Sequence, residues 1–433
     1  MATEIPTINQ LKDPSEVTCF VYDNGLFLSQ AIKLAETYKK VYYYCPHESA
    51  FPTMNLSYIG YGYDEIEIVH SVFGPHMDEC DLVYFPDVYA GELQEHLVKD
   101  CGKAVWGARL GDCMELQRDG MKEIMKTLDL PVGKWWKIKG MENLRAFLKD
   151  NPDVFVKINK WRGVMETFHS YNYEYIEPKL DELEYKLGPL KYVLEFIIEA
   201  NLKDKVEWGS DGWVIDGEYP SKQISGIEVK DKAYIGVFKD VKDIPAPLLE
   251  FNNRMKPVYK AYGWRGYVST EIRIGDDHKG YQIDLCARAG SPPSELYQNF
   301  YTNLADCVWY GANGIIIDPT TDYKYGCEVL IHSTWADKNW MPVLIPEDIR
   351  GKVKLRNSMK IEGIEYCAPQ STGLPEIGAV VGLGDTMEDA IKDAIETGQL
   401  IKGHYIEIPE SAADEAREEI KKLKEAGLDA FGD

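Results

Sequence analysis

Two carboxylates near the middle of the chain, Glu271 and Asp284, are spaced so that they would share one cation. Residues 266–274 alternate, with Val268, Ile272 and Ile274 on one face and Ser269, Glu271 and Arg273 on the other, the period of a half-buried strand. A turn over 275–280 leads back into Tyr281, Gln282, Ile283 and Asp284. If Ile274 pairs with Tyr281, Glu271 falls opposite Asp284. Like charges placed so repel across about 5 Å. Oxygen ligands at that distance suit a hard cation, typically Mg²⁺ carrying substrate phosphates. Arg288 follows, and then Gly-Ser-Pro-Pro at 290–293, a constrained turn that would hold the arginine beside the metal. The alternative is a solvated hairpin whose acids only keep it soluble.

Three further places carry charge where a plain core would not. Lys157 lies inside the apolar run 154–158, where a lysine is costly unless its head meets an anion. Lys160, Arg162 and Gly163 come directly after it. A strand lysine followed by a basic, glycine-containing loop can clamp phosphate oxygens, because glycine lets backbone N–H groups approach closely; a lysine snorkelling from an edge strand is the plainer reading. Arg118 and Lys122 are four residues apart and share one side of a helix, as a solvated basic face would also require. Glu195 stands in the otherwise apolar run 192–198, and Glu199 and Glu207 follow it. Carboxylates and backbone groups at the end of such a strand can hydrogen-bond an adenine amino group and a ribose. The eight histidines show no metal-ligand spacing, His169 reads as structural, and no nucleophile motif points to covalent catalysis.

Composition limits the partners. The 433 residues are enough for two to four structural units, and 45% of them are apolar. The net charge of −23 argues against nucleic-acid binding, which needs a basic surface. An anionic ligand would have to be held by local cations against an unfavourable overall field. No run is long and apolar enough to span a bilayer. The N-terminus lacks a secretory pattern, and the nine cysteines are scattered without a Cys-x-x-Cys, so a cytoplasmic protein is expected.

The elements that must position these residues read as an α/β protein with an α+β core. Strand and helix alternate over 17–110, which predicts a small parallel sheet without a dinucleotide glycine fingerprint. A helix capped by Asp112, with Glu115 three residues on, should run to just before Pro131. Strands are expected at 135–138, 154–158, 192–198, 213–215 and 234–238, a helix at 247–262, a strand at 378–382, and a capping box at Thr386. The chain parses as four consecutive blocks, 1–110, 111–190, 191–330 and 331–433.

In their order along the chain these features resemble the ATP-grasp enzymes, and within them glycinamide ribonucleotide synthetase and relatives such as biotin carboxylase. The motifs that carry the resemblance are Gln117-Arg118 through Lys122 to Leu130-Pro131, Phe155-Val-Lys157, Leu194-Glu195-Phe196, the run from Gln282 through Asp284 and Arg288 to Pro292, and Gly384-Asp-Thr-Met-Glu-Asp-Ala390. The resemblance implies an N-terminal pre-ATP-grasp sheet, a two-lobed ATP-grasp core and a small C-terminal α/β cap. It implies ATP and Mg²⁺, or Mn²⁺ in its place, as cofactors. Arg118, Lys122, Lys157, Arg162 and Gly163 would hold phosphates, Glu195 and the backbone near Ile198 adenine, and Glu207 or Glu199 the ribose. Glu271 and Asp284 would bind the metal, and Arg288 would neutralise an acyl phosphate. The implied activity is ADP-forming ligation of a small carboxylate to an amine, with no membrane or nucleic acid involved and an oligomer allowed. The alternatives are an ATP-grasp kinase or carboxylase, and a non-catalytic nucleotide-binding or assembly protein. The chain departs from the family in four places: Arg118 stands for a lysine, Cys286 for an asparagine metal ligand, the loop after Lys157 is short and has one glycine, and residues 23–27 (Asp-Asn-Gly-Leu-Phe) replace the glycine turn that meets a phosphoribosyl substrate.

Overall fold

The computed structural model describes residues 5–45, 58–159, 167–202, 206–274, 277–369, 376–425, 427, 428 and 431. Lys160, Arg162 and Gly163 lie outside the described residues. The chain forms two units: Met1–Asp112, Glu207–Glu271 and Cys286–Asp433 make the larger, and Cys113–Val206 and Ile272–Leu285 the smaller. Both are discontinuous in sequence.

The larger unit begins with the parallel sheet expected from the apolar runs. Its strands are β1 (Thr18–Tyr22), β2 (Lys40–Tyr44), β3 (Glu67–Val69), β4 (Leu82–Tyr84) and β5 (Ala104–Trp106), in the order β3-β2-β1-β4-β5. The order reverses beside β1, and the loops leaving β1 and β4 are joined there by the Asn24 amide, which donates to Asp87 at 2.8 Å. Helices α1 (Leu28–Ala35), α2 (Pro75–Glu79) and α3 (Gly91–Lys99) connect the strands. The Asp112 carboxylate accepts the N–H of Gly91 at 3.1 Å, at the start of α3. The helix expected after Asp112 is broken into α4 (Cys113–Leu116) and α5 (Arg118–Thr127), with Gln117 as the non-helical residue between them. Asp112 meets α3 because the chain folds back there, a contact local spacing cannot reveal.

The smaller unit is an antiparallel sheet of β6 (Trp135–Lys139), β7 (Val154–Ile158), β8 (Thr167–Ser170) and β9 (Glu195–Ala200), ordered β6-β9-β7-β8. Alternation along β9 divides its residues between two faces. Phe196 and Ile198 enter a core with Val154, Val156 and Ile158, closed by Leu144 and Leu148 of α6 (Met141–Asp150) and Leu180 and Leu183 of α7 (Tyr173–Leu187). Glu195, Ile197 and Glu199 point the other way.

The chain then returns to the larger unit through β10 (Val206–Ile215), β11 (Lys222–Val229), β12 (Ala233–Asp240), α8 (Ala246–Tyr262) and β13 (Arg265–Ile274). It passes along β13 into the smaller unit after Glu271 and comes back along β14 (Gly280–Cys286). The strands end at Ile274 and resume at Gly280; Gly275 and Asp276, in the turn expected over 275–280, lie outside the described residues. Helices α9 (Ser294–Phe300) and α10 (Leu304–Ala312) precede β15 (Tyr325–Ser333). β16 (Met341–Val343), β17 (Val353–Leu355), β18 (Ser358–Ile361), β19 (Ile364–Cys367), β20 (Glu376–Gly384), α11 (Met387–Gly398), β21 (Ile406–Glu407) and α12 (Ser411–Glu425) complete the chain. The large sheet of this unit runs β13-β10-β11-β12-β15-β20-β17, so strands from the last third of the chain continue the sheet that β10 starts. The Thr386 hydroxyl accepts the N–H of Asp389 at 3.2 Å, the cap expected for α11. Among the described residues no helix is long and apolar enough to cross a membrane.

Candidate functional site

In the smaller unit four chain segments bring charge together on the face of β9 opposite its core. Lys157 pairs across the ladder with Ile197, and Phe155 with Glu199. The Lys157 ammonium reaches one Glu199 oxygen at 3.1 Å and donates to the Ile283 carbonyl at 2.7 Å. Lys122 reaches the other Glu199 oxygen at 2.6 Å. Arg118 opens α5 with its N–H on Asn159 Oδ1 at 3.1 Å, and its guanidinium donates to the Ile158 carbonyl at 2.8 Å. Arg118, Lys122 and Lys157 are all buried.

Burial alone would lower the Lys157 pKa, but Glu199 and Asp284 outweigh burial and Arg118, and the net shift is upward. Burial likewise raises Glu199, and Lys157 and Lys122 more than reverse it. Arg118, Lys122 and Lys157 thus gather around Glu199 and Asp284 in a strongly acidic protein.

Glu195, two alternations from Glu199 along β9, lies in a polar network joined to Arg118 through Asn159. Its carboxylate meets Lys137 at 2.9 Å, and Lys137 also meets Asp119 at 2.7 Å. The Asn159 amide donates to Asp119 at 3.0 Å and to Glu195 at 3.4 Å. The Ile198 side chain is in the core, and its backbone lies within the ladder, registered with Trp136 and Val156. Sequence reasoning missed Asp119, Lys137 and Asn159. The alternation of Lys137 and Lys139 in β6 was the signal, but its meaning depends on the β6–β9 register. His169 accepts a structural role: its ring meets Asp153 at 2.8 Å and stacks on Phe155.

In the larger unit a small cavity of about 10 Å³ is lined by Glu207, Asp211, Glu228 and Glu271, with Tyr234 beside them. Asp211 accepts from Ser269 at 2.5 Å and from Tyr234 at 2.7 Å, yet burial holds its carboxyl up at about 6. Burial first, and then the charge of Glu207, pushes Glu228 up to about 8. Asp211 and Glu228 were not singled out from the sequence, since acids in alternating strands are ordinary until two strands converge. A raised carboxyl contributes stability below its ordinary value that is lost as pH rises: between 4.5 and about 8 the unfolded chain releases the Glu228 proton and the folded chain keeps it. Glu228→Gln is therefore expected to melt higher than wild type at about pH 8 and to lose part of the decline in Tm from acid to neutral pH. Parallel Tm–pH curves for the two proteins would remove the repulsion from the site.

Arg288 is also in the larger unit and is nearly enclosed, its side chain 11% exposed. Its Nε lies 3.8 Å from Asp87, and Nη1 donates to the Ala289 carbonyl at 3.2 Å. The Ala289 N–H holds the Pro86 carbonyl at 2.9 Å, so the arginine is tied to the loop that leaves β4. Glu271 and Asp284 fall in different units. Among the described residues no three His, Cys, Asp or Glu side chains converge as a metal site of their own. Carboxylate oxygens are the hard donors Mg²⁺ prefers. The Cys286 thiol adds nothing to such a set.

No protein-family model and no curated protein matches the chain. Solved structures do match over nearly its full length. Phosphoribosylamine–glycine ligase from Thermotoga maritima superimposes with a TM-score of 0.61 at 15% identity, covering 90% of this chain and 98% of that one. Biotin carboxylase from Campylobacter jejuni gives 0.62 at 12% identity, over 92% and 94%. N5-carboxyaminoimidazole ribonucleotide synthetase from Thermotoga maritima gives 0.58 at 13%, over 90% and 99%. The chain has an ATP-grasp-like fold. At these identities the likeness establishes the mixed α/β architecture expected from the sequence, and the chemistry rests on the residues themselves.

Proposed function

We propose that the protein is an ATP-dependent carboxylate–amine ligase that forms ADP through an acyl phosphate. The observation that carries this reading is the cluster of Arg118, Lys122 and Lys157 around Glu199, with Asp284 acting on the same lysine. A cluster of buried cations suits a polyphosphate, and an adjacent carboxylate suits the Mg²⁺ that accompanies it. Arg118 and Lys157 hold the phosphates, with Lys122 behind them. Glu207 or Glu199 takes the ribose. Glu195 and the backbone near Ile198 take the adenine, and Glu271 and Asp284 the metal, which when bound neutralises the phosphate oxygens. Arg288, pre-set by Asp87 and its own backbone, stabilises charge on the phosphoryl group as it transfers. The solved ligase and carboxylase structures of the same fold support this reading by architecture.

A second reading, a nucleotide-binding protein without turnover, is favoured by Cys286 at a position where a metal ligand would be useful. ADP release in the presence of ATP, a candidate carboxylate and an amine separates the two. A ligase needs both co-substrates for full turnover, a kinase needs the acceptor alone, and a binding protein releases no ADP. For the metal, Glu271→Gln and Asp284→Asn are each expected to weaken Mg·ATP binding by about tenfold, near 1.4 kcal/mol, with a smaller effect on ATP in EDTA. Calorimetry giving equal Mg·ATP affinity in all three proteins would discard these ligands.

A further inference from the structure

Helix α8 buries the stripe Leu248, Phe251, Asn252, Met255 and Tyr259, the inward face of an amphipathic helix with an amide in its middle. Asn252 is 1% exposed. Its Nδ2 donates to the Ser210 hydroxyl of β10 at 3.2 Å, and the Gln223 amide of β11 donates to the same oxygen. The Asn252 Oδ1 has no hydrogen-bond partner among the described residues. An amide oxygen buried in that state costs stability that an apolar residue at the same place would not. A partner for it has to come from outside the chain.

The space for one lies beside it. Asn252 lines a cavity of about 350 Å³ between α8, the turn before β11 and the chain leaving β12. That volume is within the range of about 300–1,000 Å³ usual for small-molecule sites. Tyr219, Pro220 and Val241 give the cavity apolar walls, and Lys242, Lys256 and Asp240 supply charge of both signs. Lys242 meets Asp240 Oδ2 at 3.2 Å, and Lys256 meets Glu218 at 2.8 Å. An ammonium has three donors, so each lysine keeps others to offer a ligand. None of the lining residues belongs to the cluster around Glu199, the Glu195 network, the acid cavity or the contacts of Arg288.

This lining discriminates among small ions. A simple anion would meet Asp240, and a simple cation would meet two lysines. A molecule with both an ammonium and a carboxylate answers each group in turn. Its ammonium donates to Asn252 Oδ1 and Asp240, and its carboxylate accepts from Lys242 and Lys256. We infer that the cavity is a binding site for a free α-amino acid, held as its zwitterion. The ligase reading is not needed for this. Ser210, which anchors Asn252, is followed in β10 by Asp211, which lines the acid cavity with Glu271. Successive residues of a strand face opposite ways, so the amino acid lies behind the strand that carries Asp211.

The test is calorimetric titration of the full-length protein with glycine, L-alanine, L-serine and L-glutamine. Acetate, ethylamine and inorganic phosphate serve as probes that carry charge of one sign. At least one amino acid is expected to bind, and each one-sign probe to bind about tenfold more weakly or worse, the effect of one lost charged contact. Lys242→Ala alters a side chain that is 75% exposed, so its melting temperature should match wild type. Its affinity for the amino acid should fall by about tenfold. Asn252→Leu should lose binding without melting lower than wild type, because it removes the unpaired oxygen along with the amide. Silence across all four amino acids, a one-sign probe binding as tightly as the best of them, or unchanged affinity in Lys242→Ala would each overturn the inference.

Discussion

Arg288→Ala should reduce ADP formation by about 10²–10³, roughly 3–4 kcal/mol of transition-state stabilisation, while Mg·ATP affinity stays close to wild type. The arginine is fixed in advance by Asp87, by the Ala289 carbonyl and by the Ala289–Pro86 bond, so it needs little reorganisation when charge develops. Arg288→Lys should recover only part of the rate, because an ammonium cannot reproduce the forked contact of a guanidinium. Removing the arginine also leaves Asp87 without its cation, so the variant's melting temperature must be recorded beside its rate. An alanine variant that melts normally and turns over normally would place Arg288 outside the reaction and favour the binding-protein reading.

Glu199→Ala is expected to destabilise the protein by about 3–5 kcal/mol, since Lys122 and Lys157 would be left buried without the carboxylate they share. The Glu199 carboxyl is held below its ordinary value, so its contribution is present above about pH 4.5 and is lost as the solution is acidified through its folded value. The loss should be partly restored by ATP or inorganic tripolyphosphate, because an anion seated among the same cations replaces the missing charge. Urea unfolding with and without tripolyphosphate reads both effects. A variant as stable as wild type would mean that water screens these lysines; an unstable variant indifferent to polyphosphate would make the cluster purely structural. Lys157→Ala is milder by the same logic, because Glu199 keeps Lys122.

Some of this was present in the order of residues. The apolar runs 17–22 and 41–45 became parallel strands because β-branched and aromatic side chains packed on both faces have few other solutions. The strand ending at Ile274 followed from strict alternation of apolar and polar residues. Lys157 stood out because a lysine inside an apolar strand requires an anion, and the anions are Glu199 and the field of Asp284. Other features existed only once the chain had folded. β10 starts at Val206, well before Trp213, although Gly209, Ser210, Asp211 and Gly212 have little strand propensity; burial in the middle of a sheet overrode it. Asp112 caps a helix that precedes it. Lys122 meets Glu199 and not a neighbour one turn away, and Glu228 is strained by Glu207 from the adjoining strand. Local pattern determines which face of an element a side chain occupies, because the helical and strand periods are properties of the backbone. Which charge it then meets depends on strand order and register, and those are decided by how the whole chain buries its apolar faces.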